Sequence, residues 1–140
     1  MMDTVIIDND LLQFNPMFGN RMVIPSGPTQ IRGSGLPKIQ GRKVCVAGDE
    51  KKVQFNAIYT TPTHTIPGNG IITISRLALN QQAQHVKSGT AWILKGQLFT
   101  AQFRPTKPAQ MPPPSNAPDV TAPSMGQGRF IPGQFVVRGS

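Results

Sequence analysis

Glycine spacing constrains this chain more than any other feature. Gly33, Gly41 and Gly48 punctuate the stretch Ile31 to Glu50, IRGSGLPKIQGRKVCVAGDE, and an echo appears in Lys87 to Phe103, KSGTAWILKGQLFTAQF. In both places a Ser-Gly pair (Ser34-Gly35, Ser88-Gly89) precedes a short apolar-polar run ending at a glycine (Gly41, Gly96), and a second run follows. The first runs differ by one residue in length, which a bulge or a longer turn absorbs. Short runs broken by glycine turns predict a β-turn-β unit, used twice as the body of the protein.

Composition agrees with that body. With 14 Gly, 14 Pro and 38% hydrophobic residues in 140, the chain suits one compact, turn-rich β domain rather than a helix bundle. Seven of the prolines fall between Pro105 and Pro123, including Pro112-Pro113-Pro114, and predict a polyproline-type linker that stays out of a sheet interior. The expected division is an N-terminal extension over 1–20, a β-hairpin-rich domain over 21–104, the linker over 105–128 and an apolar C-terminal segment over 129–140. The fold class is mainly β, short-stranded and rich in glycine turns, with at most one short helix and a proline-rich tail.

Met22-Val23-Ile24 reads as a strand stopped by Pro25. In the strand Lys43 to Ala47, Val44 and Val46 share one face and Cys45 points to the other. Lys52 to Tyr59 alternates, Thr60 to Gly70 is a loop holding His64, and Ile71 to Ile74 is β-branched. Leu77, Ala78, Ala83 and Val86 fall near helical spacing and place the single helix between Ser75 and Lys87. Trp92 to Leu94 and Leu98 to Phe103 form a hairpin around Lys95-Gly96-Gln97.

The net charge is +8, with basic residues dispersed singly or in pairs (Arg42-Lys43, Lys51-Lys52). That permits a polyanionic partner without demanding one, and no basic run of nucleic-acid-arm length exists. A nucleic-acid-binding β domain, the rival reading, would use Phe55, Tyr59, Trp92, Phe99 and Phe103 as stacking platforms, but alternation puts most of them in a core. Nucleic acid is therefore disfavoured. A single cysteine excludes an intramolecular disulfide. The early charges are acidic (Asp3, Asp8, Asp10) and no apolar run nears bilayer length, so synthesis in the cytoplasm without a signal peptide is expected.

Catalytic constellations are thin. Gly33-Ser34-Gly35 leads into Pro37 and a strand rather than a helix, so it is a turn and not a phosphate loop. Nothing places a serine, a histidine and an acid together, and Asp49-Glu50 sit adjacent on a turn. No enzyme and no catalytic or cofactor-binding residues are expected. Cys45, His64 and His85 are the only thiol and imidazole ligands, fewer than the four that a closed zinc site takes, so no metal site is expected and zinc stays the alternative.

The pattern G-S-x-x-P-x-I-x-G-x-x-x-C-V-x-G-D in Gly33 to Asp49 resembles the PAAR-like spike-tip proteins of contractile injection systems and type VI secretion. The Pro-Ala-Ala-Arg string itself is absent: Leu36-Pro37-Lys38-Ile39 and Arg42-Lys43-Val44-Cys45 stand in its place. The resemblance implies a cone-like β domain capping a trimeric β-helical spike, one tip per trimer. It implies a structural, membrane-piercing role, transient contact with a target membrane, and extensions able to carry an effector or cargo. The protein would then belong to an injection particle delivered outside or into a target cell. The family's zinc set maps onto Cys45 and His64 alone.

Overall fold

Alternation of buried and exposed residues decides where the sheet forms. The computed structural model describes residues 3–83, 91–133 and 138–139. Its strands are β1 (Asp3–Thr4), β2 (Leu11–Phe14), β3 (Met17–Phe18), β4 (Arg21–Pro25), β5 (Lys38–Ile39), β6 (Arg42–Lys43), β7 (Gln54–Thr60), β8 (Gly68–Arg76), β9 (Phe99–Lys107), β10 (Ser124–Ile131) and β11 (Arg138–Gly139). Seven of them form one antiparallel sheet, ordered β2-β10-β9-β8-β7-β4-β3. The first and last strands of that order are neighbours in the chain, separated only by Asn15-Pro16. The sheet therefore curls into a half-barrel. The free side of β2 is covered where Leu12 N donates to Thr29 O (2.9 Å) and the Thr29 hydroxyl donates to Leu12 O (2.6 Å). Such cover keeps a strand edge from pairing with another chain.

Inward positions of the sheet supply the main core. Ala57 and Tyr59 of β7, Ile72 and Ile74 of β8, Phe99, Ala101 and Phe103 of β9, and Phe130 of β10 are all buried. Phe14 meets Phe55 and Phe99 edge-on, Phe99 packs on Phe130 with centroids 5.0 Å apart, and Phe103 lies between Phe18 and Tyr59. Curling a sheet this tightly needs small residues opposite large ones. Gly70 meets that need, since a Cβ there would fall on the Phe103 ring.

The structure departs from the sequence reading at two places. β8 continues through Arg76, and within Ser75 to Lys87 only Leu79–Gln81 winds into a 3-10 turn; residues 84–87, with His85, lie outside the described residues. Gln81 explains the short turn. Its fully buried amide accepts from Ala78 N (3.0 Å) and donates to Lys95 O (3.1 Å), bonds that a continuing helix would forgo. The proline-rich stretch also enters the sheet, with Pro105 in β9 opposite Gly70 and β10 starting at Ser124. Pro105 sits beside a register shift at Asn69/Gly70, where a missing ladder donor costs least.

Between β9 and β10 the remaining prolines form an ordered excursion. Ile66 and Gln110 exchange backbone bonds (3.0 Å each), Met111 N donates to Ala117 O (2.9 Å) and Asp119 N to Ala109 O (2.7 Å). Arg21, nearly fully buried, fastens its return: Nε donates to Asp119 Oδ2 (3.0 Å), Nη1 to Ala122 O and Ser124 Oγ (2.6 Å each), and Nη2 to Val120 O (2.7 Å). The Tyr59 hydroxyl donates to Asp119 Oδ2 (3.0 Å), accepts from Ala109 N (2.9 Å), and its ring lies under the Arg21 guanidinium.

Candidate functional site

At the end of the half-barrel where β2, β7 and β9 begin, three short apolar segments cross: Val5-Ile6-Ile7, Val44-Cys45-Val46 and Trp92-Ile93-Leu94. Each pairs with one neighbour as it enters and with the other as it leaves, through the bridges Val5↔Leu94, Ile7↔Val44 and Val46↔Trp92. Their central residues bond in a closed ring: Ile6 N donates to Ile93 O (2.9 Å), Ile93 N to Cys45 O (2.8 Å) and Cys45 N to Ile6 O (2.8 Å). A second set runs round the other way, from Asp8 N to Lys43 O (2.7 Å), Ala47 N to Ala91 O (2.7 Å) and Lys95 N to Thr4 O (2.9 Å). The backbone is thus three-fold pseudo-symmetric although the side chains differ.

The side chains divide by position. The central Ile6, Cys45 and Ile93 are fully buried and belong to the main core. The flanking Val5, Ile7, Val44 and Leu94, with half-buried Val46 and Trp92, build a second small core together with Ile39 and Ala83. Alternation along an extended chain places centre and flanks on opposite faces of the ring.

Three equivalent corners follow the crossings. Asn9, Gly48 and Gly96, each three residues beyond its central residue, have φ of 68°, 108° and 52° respectively. Asp10 and Asp49 then do the same work at two corners. Asp10 Oδ2 accepts from Ile7 N (2.8 Å) and Asp49 Oδ2 from Val46 N (2.9 Å). Asp10 Oδ1 also accepts from Gly133 N (3.0 Å) and Asp49 Oδ2 from Ser34 N (3.0 Å), so each holds a chain returning to the ring. At the third corner Gln97 replaces the acid, and Gln81 O accepts from Leu94 N (2.9 Å) instead.

The arms feeding the ring repeat as well. β5 and β6 pair as a hairpin before Val44, with Ile39 opposite Arg42 and Lys38 opposite Lys43. Before Val5 the same geometry is made by the two ends of the chain, β11 pairing with β1 as Gly139 opposite Asp3 and Arg138 opposite Thr4.

The sequence-derived candidates are scattered by this arrangement. Cys45 is a ring centre, and burial first, then the carboxylates of Asp49, Asp10 and Asp8, push its thiol far above the ordinary value. His64 lies in the loop after β7, where its Nδ1 contacts the Thr61 and Thr63 hydroxyls (3.1 and 2.9 Å). β7 leads from the ring end to that loop over seven residues, roughly 23 Å of extended chain. Cys45 and His64 are therefore not brought together. Among the described residues no three His, Cys, Asp or Glu side chains gather around a metal-sized space. Asp49 and Glu50 turn inward to backbone amides, Glu50 Oε1 accepting from Gly48 N (2.6 Å). The aromatics weighed as stacking platforms are packed: Tyr59, Phe99 and Phe103 are buried, and Phe55 and Trp92 pack against the two cores. The Ser88-Gly89 half of the echo lies outside the described residues.

Val5-Ile6-Ile7 and Asn9 are the ring residues that glycine spacing missed. The usable signal is an apolar triplet, then a corner residue two places on, then Asp: VIIDND beside VCVAGD, with WILKGQ as the looser copy. No helix among the described residues is long and apolar enough to cross a membrane.

No curated protein matches the sequence. A family model described as contractile injection system spike tip protein matches residues 1–140. The chain is a member of that family, the spike tip proteins of contractile injection systems.

Proposed function

We propose that the ring end seats on the end of a trimeric spike, one tip per trimer, and that the proline-rich end leads. The three-fold ring is the observation that carries this reading. A single chain meeting a trimer must present similar backbone to three identical subunits, and a pseudo-three-fold ring of hydrogen-bonded segments does so. β7 and β9 run away from the ring, so the loop after β7 and the excursion after β9 form the opposite end, tied together through Ile66 and Gln110. The role is mechanical rather than catalytic: the tip covers the strand edges of the spike end and concentrates force on a small, proline-stiffened point.

Co-expression with the trimeric spike protein of the same system, followed by mass measurement of the complex, tests this. One tip per three spike chains is expected. A stable free monomer with no affinity for the spike overturns it.

A further inference from the structure

The ring end carries an unbalanced surface. Four acids near it are used internally: Asp8 with Arg32 and Gly33 N, Asp10 with Arg42, Asp49 with Ser34, and Glu50 with Gly48 N. The three ion pairs among the described residues all use arginine. Exposed lysines are left over: Lys38 and Lys43 on the β5–β6 arm, and Lys51 and Lys52 on the 3-10 turn that leaves the Gly48 corner. Lys38 stands directly opposite Lys43 in a hairpin of two residue pairs. Like charges so placed weaken a hairpin, and no carboxylate among the described residues relieves them.

The same end holds the two most exposed large apolar side chains among the described residues, Leu36 at 94% and Leu79 at 80%. Leu36 precedes the arm feeding Val44, and Leu79 opens the 3-10 turn on the arm feeding Trp92. Each of these two arms of the pseudo-three-fold ring thus bears one outward leucine, Leu36 only two residues from Lys38.

We infer that this end docks on an acidic protein surface, a spike terminus with carboxylates around its rim and apolar hollows that accept Leu36 and Leu79. This rests on the seating proposed above and adds the chemistry of the partner. Opposite charge steers the encounter and sets its rate, whereas buried leucines slow dissociation.

The test is binding of the full chain to immobilised trimeric spike protein of the same system. Raising salt from about 50 to about 500 mM should cut the association rate roughly tenfold, and Lys38→Glu with Lys43→Glu should cause a similar loss at low salt. Leu36→Ser with Leu79→Ser, which leaves the charge unchanged, should speed dissociation with little change in association. All these positions are exposed, and circular dichroism checks that each variant keeps its fold. Tight binding unaffected by salt and by both double variants overturns the inference while leaving the seating intact. No binding by the unsubstituted chain overturns both. A single-stranded oligonucleotide that binds through the same lysines, with spike binding unchanged, also overturns it.

Discussion

Arg21 and Asp119 are 98 residues apart in the chain and meet at 3.0 Å, their side chains only 3% and 10% exposed. The pair joins the wall of the half-barrel to the chain returning from the proline-rich end. It fastens that end through a charge-assisted hydrogen-bond network.

Removing the guanidinium should therefore loosen that end. Arg21→Met strands a nearly buried carboxylate and should cost about 3–5 kcal/mol in urea denaturation. Replacing both partners, Arg21→Met with Asp119→Leu, should recover part of the loss because no charge is left unpaired.

Acid should undo the same contact. Burial works against the Asp119 carboxylate, but the bonds from Arg21 and Tyr59 outweigh it and hold its pKa below the ordinary 3.8. The folded state thus binds this proton less readily than the unfolded state. The stabilisation is fully present above 3.8 and fades as pH falls below it towards the folded-state value. Asp119→Asn should flatten that part of the stability curve, measured by thermal unfolding across the acid range.

Alkali acts at the ring. The Cys45 thiol is held neutral by burial, so the unfolded chain ionises first as pH rises above 9.0 and stability falls there. Cys45→Val should remove this alkaline loss with little change near neutrality. Native protein should resist thiol reagents that label it promptly in denaturant.

The corners differ in what a methyl group would meet. At Gly48 an added Cβ finds open space, so Gly48→Ala should cost only the backbone strain of φ 108°, on the order of 1 kcal/mol. At Gly96 the Cβ would overlap Gln81 and Asn80, so Gly96→Ala should cost clearly more. Denaturant midpoints of the two variants give the order directly.

The mainly β fold and two of the three ring segments were legible because glycine marks corners that demand positive φ. The third was hidden because Asn9 makes its corner, and asparagine is tolerated there without being diagnostic. The closing arm was invisible for a different reason: it is built from residues at both ends of the chain, and no local pattern joins β1 to β11. The periodicity of Leu77, Ala78, Ala83 and Val86 pointed to a helix, but Leu77 and Ala83 pack on the two cores from extended chain on either side of one 3-10 turn. Proline content argued for a linker, since it reports a lack of donors and says nothing of an arginine that supplies them from elsewhere.

The pairing of β1 with β11 also bears on the order in which the ring is completed. Asp3 and Gly139 stand opposite each other although 136 positions separate them, whereas Lys38 and Lys43 of the β5–β6 arm are only five apart. Loop closure favours the local hairpin, so the β1–β11 arm should be the last part of the ring to close when the chain folds.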